Sequence, residues 1–199
     1  MRNKLRSKKG VPYGRIIIIL LIVSVLMGFL FDIGCSFIEK KTHPLSYTKY
    51  VEKYAEQYKV PKELIYAIIK TESDFESNAV SHAGAVGLMQ LMPSTFKDIT
   101  ENFLYENLDE GMLYDPETNI RYGVFYLSWL KTNFDNWDCV IAAYNGGIGN
   151  VQKWLKDPEY SEDGKTLIAK NIPFEETRNY VKKVNKAKEK YTELYFAEE

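Results

Sequence analysis

The chain has 199 residues with 26 basic and 27 acidic side chains, two histidines and two cysteines, for a formal net charge of −1. Less an apolar segment near its start, that length leaves room for one domain of roughly 150 residues, enough to bury a proper core. Residues 1–15 carry Arg2, Lys4, Arg6, Lys8, Lys9 and Arg15 and no acid, which leaves 20 basic against 27 acidic side chains beyond them; a body of that sign argues against a nucleic-acid binder, whose phosphate contacts need clustered cations.

From Ile16 to Phe31 no residue is charged, and only Ser24 and Gly28 interrupt large apolar side chains. As a helix this run spans roughly 24 Å, and extension through Ile38 brings it to roughly 34 Å, enough for a bilayer core. Positive charge before the run, and none just after it until Lys40 and Lys41, places the N-terminus in the cytoplasm and the rest outside. A cleaved signal peptide is the competing reading, but no Ala-x-Ala site is visible. Gly34-Cys35 is similar to the end of a lipoprotein signal, yet Asp32 stands where an aliphatic residue is wanted. The expected layout is a cytoplasmic basic tail over 1–15, a transmembrane signal-anchor over 16–38, a tether over 39–47 and one folded domain over 48–199. That makes a single-pass protein of the cell membrane with its domain extracytoplasmic.

Within the domain, Ser46 is the expected N-cap of a helix carrying Tyr47, Tyr50, Val51, Tyr54 and Tyr58 at helical spacing. Pro61 sits at a first-turn position, and Leu64, Ile65, Ile68 and Ile69 continue the period to Thr71 or Ser73. This helix should be buried, and it bears Glu72 at its C-terminal end. A loop rich in Ser, Asn, Ala and Gly runs from Ser73 to Gly87, and Pro93-Ser94-Thr95 opens a helix to about Ile99. Asp115-Pro116 predicts a capped helix start, with Ile120, Val124, Leu127 and Leu130 as its apolar stripe. Cys139 to Tyr144 reads as a short helix stopped by Asn145-Gly146-Gly147, and a long closing helix from Glu175 carries Tyr180, Val184, Ala187, Tyr191 and Leu194. No stretch alternates with period two, so the domain should be almost wholly α-helical.

Cys35 ends the membrane segment and Cys139 lies among Trp137, Val140 and Ile141, so both read as free thiols. His43 and His82 lack ligand partners at zinc spacing. No metal and no cofactor is expected.

Cleaving a glycosidic bond needs a carboxylic acid still protonated near neutrality, which a dry, partly apolar site provides. By residue type alone Glu72 reads as an exposed helix-end glutamate; its place after the apolar 64–69 helix and before Phe75 is also one where burial would raise its pKa. Asp74, two residues on, would point elsewhere if the helix continues, and is otherwise a second candidate carboxylate beside the plainer reading of a solvated loop acid.

Glu72-Ser73-Asp74-Phe75, the run Asn78 to Thr95 with its Gly87-Leu88-Met89-Gln90, Asn119-Ile120, Gly123 to Leu127, Ala143-Tyr144-Asn145-Gly146-Gly147 and Ile172 to Val181 together resemble the signature of the soluble lytic transglycosylase family of the lysozyme-like superfamily. The resemblance covers about residues 48–190; Ser77 departs from the proline usual there. It implies a lysozyme-like, all-α domain that cleaves the β-1,4 bond between N-acetylmuramic acid and N-acetylglucosamine in peptidoglycan, leaving 1,6-anhydromuramoyl ends. Glu72 would be both acid and base, where common glycosidases use a carboxylate pair. The resemblance also implies that Tyr144 hydrogen-bonds the catalytic glutamate, that Asn145 contacts substrate, and that Ser73, Glu176 and Tyr180 lie along the cleft. Gly84, Gly87, Met89 and Gln90 suit a wall where backbone approaches a flat sugar, Met89 lining the cleft and Gln90 facing the sugar. Plainer roles stand beside these: a helix-end hydroxyl for Ser73, a core tyrosine for Tyr144, a C-cap for Asn145 and a solvated first-turn acid for Glu176. A hydrolytic muramidase of the goose-type-lysozyme kind, or a weakly active, membrane-tethered peptidoglycan-binding component of a wall-associated protein complex, are the alternatives.

Overall fold

The computed structural model describes residues 13–197, so Arg2, Lys4, Arg6, Lys8 and Lys9 of the basic tail lie outside the described residues. The chain divides into two units, Met1–Pro44 and Leu45–Glu199. In the first, one helix, α1 (Tyr13–Thr42), presents its apolar side chains outward and is long and apolar enough over Ile16–Thr42 to cross a membrane. It does not stop at residue 38 but runs on through the first part of the expected tether. Lys40 and Lys41 occupy its last turn, where cations complement the carbonyl end of the helix.

The second unit is built from α2 (Thr48–Tyr58), α3 (Lys62–Ser73), α4 (Pro93–Ile99), α5 (Pro116–Lys131), α6 (Trp137–Gly146), α7 (Ile148–Trp154) and α8 (Glu175–Tyr191). No strand forms among the described residues beyond isolated bridges of Val86 with Val80 and Leu91, so the all-α expectation holds. Ser46 is not the cap of α2: Tyr47 takes that place with φ 59 and no side-chain cap bond. Its carbonyl instead accepts from the amides of Tyr50 and Val51. Lys59, at φ 56, separates α2 from α3, and Pro61 immediately precedes the first residue of α3.

Sequence caps fix the next starts. The Asp115 carboxylate accepts from the Thr118 amide at 2.8 Å ahead of Pro116, and Asn136 accepts from the Cys139 amide at 2.9 Å to open α6. Helix α3 is buried on every side over Leu64, Ile65, Tyr66, Ala67, Ile68 and Ile69, each aliphatic side chain contributing roughly 1.5–3 kcal/mol. It is the central helix of the core; α8 packs along it, α2 lies on α5, and α6 touches α5, α7 and α8. Ile120, Val124, Leu127 and Leu130 of α5 are fully buried, as the stripe requires. A smaller cluster of Val86, Leu91, Phe96, Ile99, Leu113 and Tyr122 supports the loop after α3, and Tyr126 and Tyr144 border both clusters. The loop is thereby held between two apolar bodies, with Glu72 at the end of the helix beneath it.

Candidate active site

Helix α3 is terminated by a sharp reversal in which Asp74 (φ 50) and Phe75 (φ 68) both adopt left-handed backbone, a conformation costing roughly 1–3 kcal/mol per non-glycine residue. Local contacts hold it. The Asp74 amide bonds back to the Lys70 carbonyl, the Asp74 carboxylate pairs with Lys70, and Phe75 packs on the core beside Tyr66. Asp74 turns outward because the helix ends before it and its backbone reverses, not through an offset on a continuing helix.

Glu72, part-buried at this reversal, receives a hydrogen bond of 2.7 Å from the Tyr180 hydroxyl on α8. Burial lifts its carboxyl from the ordinary 4.5 to about 7; the Tyr180 bond opposes that rise and the negative charge of Glu176 adds to it. Tyr180 and Tyr144 are themselves driven well above the ordinary phenol value, by burial first and by Glu72's charge second. Tyr180 thus remains a donor throughout the range in which Glu72 changes state. A carboxyl that is protonated about half the time near neutrality can both deliver and accept a proton.

Above Glu72, the Met89 peptide is held from both ends. Its amide donates to Asn119 Oδ1 at 2.8 Å, and its carbonyl accepts from the Tyr144 hydroxyl at 2.7 Å. The Asn119 amide nitrogen donates in turn to the carbonyls of Val86 (2.9 Å) and Leu113 (2.8 Å). The Ser73 hydroxyl reaches the Leu88 carbonyl at 2.8 Å, and Gln90 Nε2 reaches the carbonyls of Gly87 (2.8 Å) and Ala79 (3.1 Å). Two glycines are required by this packing. Gly87 has φ +81, and a Cβ there would lie 2.2 Å from Asn119 Nδ2; a Cβ on Gly123 would lie 2.5 Å from Met89 Sδ.

The expected site residues are brought together, several in different roles. Tyr144 does not bond Glu72: it projects from α6 onto the Met89 carbonyl, and Tyr180, on the face of α8 that packs against α3, supplies the glutamate's donor. Met89 does not line an open cleft, because its side chain is fully buried in the space left by Gly123. The side-chain nitrogen of Gln90 is committed to its own loop, and the Ser73 hydroxyl bonds the backbone carbonyls of Leu88 and Ile69. Asn145 accepts from the Thr177 hydroxyl at 2.7 Å, which joins the end of α6 to the first turn of α8. Glu176 is exposed in that same turn, within electrostatic reach of Glu72.

Sequence reasoning assigned no role to Asn119 or Thr177. Each is a polar residue buried beside apolar neighbours, and a polar group in a core stripe is itself a signal of a required hydrogen bond. Both cysteines are free thiols, and among the described residues no three His, Cys, Asp or Glu side chains are grouped to hold a metal.

Comparison with known proteins gives this geometry a family. The model of the transglycosylase SLT domain matches residues 49–167. The chain is 37% identical over 143 residues to the soluble lytic murein transglycosylase of Escherichia coli K12, covering 71% of this chain and 22% of that protein. It is 34% identical over 175 residues to the membrane-bound lytic murein transglycosylase C of Serratia proteamaculans, covering 77% and 48%. Among solved structures, the 70 kDa soluble lytic transglycosylase of Escherichia coli superposes with TM-score 0.73 at 34% identity, covering 81% of this chain and 26% of that one; a complex of the 70 kDa enzyme with bulgecin A gives 0.72. The chain spans from about a fifth to about half the length of these relatives.

Proposed function

The chain belongs to the transglycosylase SLT domain family, and on that premise we propose that it is a lytic transglycosylase acting on peptidoglycan. The observation that carries the reading is Glu72: one part-buried carboxyl with a pKa of about 7, held by Tyr180 and raised further by the charge of Glu176. A single acid at that value suits a reaction in which one group serves twice. The Glu72 carboxyl protonates the oxygen linking N-acetylmuramic acid to N-acetylglucosamine; as carboxylate it then takes the proton of the muramoyl C6 hydroxyl, and ring closure gives a 1,6-anhydromuramoyl end. In this reading Asn145, bonded to Thr177 in the first turn of α8, and Glu176 of the same turn contact the glycan. Tyr180 keeps the carboxylate oriented between the two proton transfers. The membrane-bound relatives and the apolar helix Ile16–Thr42 support a cell-membrane protein. The basic residues before that helix support a single pass with the domain outside, where it reaches wall glycan alone or within a wall-associated complex.

The test is product analysis. Full-length chain in detergent, incubated with peptidoglycan, should release fragments ending in anhydromuramic acid, lighter by one water than hydrolytic products and resistant to borohydride. Glu72→Gln should abolish release while leaving glycan binding intact. Reducible muramic acid ends would assign a muramidase instead, and full activity of Glu72→Gln would reject the catalytic role.

A further inference from the structure

The globular unit carries its charge unevenly. Leu45–Glu199 has 18 basic against 25 acidic side chains, yet seven of those 18 lie between Lys170 and Lys190 beside only three acids, Glu175, Glu176 and Glu189. Composition gives the net sign of the unit; only the fold shows where the cations meet. Lys170, Arg178, Lys182 and Lys186 line one groove of about 730 Å³ between the 3-10 turn Ala169–Asn171 and α8, in which Glu189 is the single acid.

Arg178, Lys182 and Lys186 follow at four-residue spacing and so form a row along one face of α8, with about 6 Å of axial rise between neighbours. Tyr180, which reaches Glu72, is two residues from both Arg178 and Lys182 and faces another side of the helix. The groove is therefore separate from the active site. Arg178 is fixed in it by a 2.7 Å bond to the Ile172 carbonyl. None of the four cations is ion-paired with a carboxylate among the described residues. Like charges one turn apart disfavour a helix, a cost that a bound anion relieves.

We propose that this groove binds a linear phosphodiester polymer, an anionic polyol-phosphate chain of the cell exterior. The cations stand in a row, which matches regularly spaced charges along a chain, and Arg178 with three lysines is a phosphate-binding set. No Phe, Tyr or Trp lines the groove, so it offers no stacking platform for single-stranded nucleic acid. Its concave shape suits a chain laid into it better than a flat lipid surface. The inference goes beyond the Glu72 chemistry and is tested without turnover.

Full-length chain carrying Glu72→Gln, in non-ionic detergent, is titrated with fluorescently labelled poly(glycerol phosphate) at increasing salt. Binding should weaken with a log–log salt slope of roughly −2 to −3, the value for three to four phosphate contacts on a single strand. Lys182→Glu with Lys186→Glu should weaken it at least tenfold, and Lys170→Glu, on the opposite wall, should do the same without altering α8. Lys153→Glu with Lys156→Glu, exposed and outside the groove, should retain it. Absence of polymer binding, equal loss in the groove and control variants, or full displacement by single-stranded DNA or acidic-lipid vesicles at equal phosphate would each overturn the assignment.

Discussion

Replacing Glu72 by glutamine should leave domain stability unchanged below about pH 4.5 and raise it progressively as the pH climbs to about 7. In the unfolded chain this glutamate ionises at its ordinary 4.5, whereas burial in the folded domain delays ionisation to about 7. A raised folded pKa contributes stability that is fully present below the unfolded value and lost as pH rises through the folded value. At 1.36 kcal/mol per pH unit, that window corresponds to roughly 3 kcal/mol at full effect. Glutamine never ionises, so the difference between variant and parent should grow from near zero to roughly 3 kcal/mol and then level off. The three tryptophans, Trp129, Trp137 and Trp154, all lie in the globular unit. Near-ultraviolet circular dichroism of the full chain in detergent, followed through urea unfolding at several pH values, therefore reports that unit. Parallel stability–pH curves for parent and variant would refute the claim that Glu72 sits in a desolvating site.

Other changes probe the same construction. Tyr180→Phe removes a hydrogen bond to a charged acceptor, worth roughly 1.5–3 kcal/mol, so the Glu72 pKa and the alkaline limb of the activity profile should move up by about 1–2 pH units; an unmoved limb would show that the bond does not favour the carboxylate. Asn119→Ala strands the Met89 amide and the Val86 and Leu113 carbonyls in the interior, and at roughly 1–3 kcal/mol per orphaned group its urea midpoint should fall far below the parent's. Gly123→Ala drives a methyl into Met89 and should cost roughly 1–3 kcal/mol by overpacking. Gly149→Ala in α7 meets nothing within 4 Å and should be neutral or slightly stabilising by the same measurement.

Local chemistry made much of the fold readable in advance. Asp115-Pro116 and the apolar stripe of α5 act through neighbours within one turn and set that helix where expected, whereas α6 runs from Trp137 through Asn145 and Gly146 and stops only at Gly147, beyond the expected Cys139–Tyr144 at both ends. The break between α2 and α3 was less legible, because it depends on Lys59 accepting a left-handed backbone that lysine has no special tendency to adopt. The acid itself was placed by its apolar helix and by the motifs around it, and its raised pKa follows from that burial. Which of fifteen tyrosines would hold it was not readable. Tyr144 and Tyr180 both approach the site, and the choice between them depends on how α8 docks against α3, a contact between segments remote in sequence. Asn119 escaped for the same reason, since its three bonds reach carbonyls and an amide on two other segments.

The bond between Glu72 and Tyr180 joins residues 108 positions apart, the first on the domain's second helix and the second on its last. The stretch matched by the family model ends at residue 167, before that last helix begins at Glu175. A ribosome thus delivers the acid long before the phenol that holds it, and that bond forms only once α8 has docked on α3. A chain truncated ahead of Glu175 would keep Glu72 but lose the hydroxyl that bonds it.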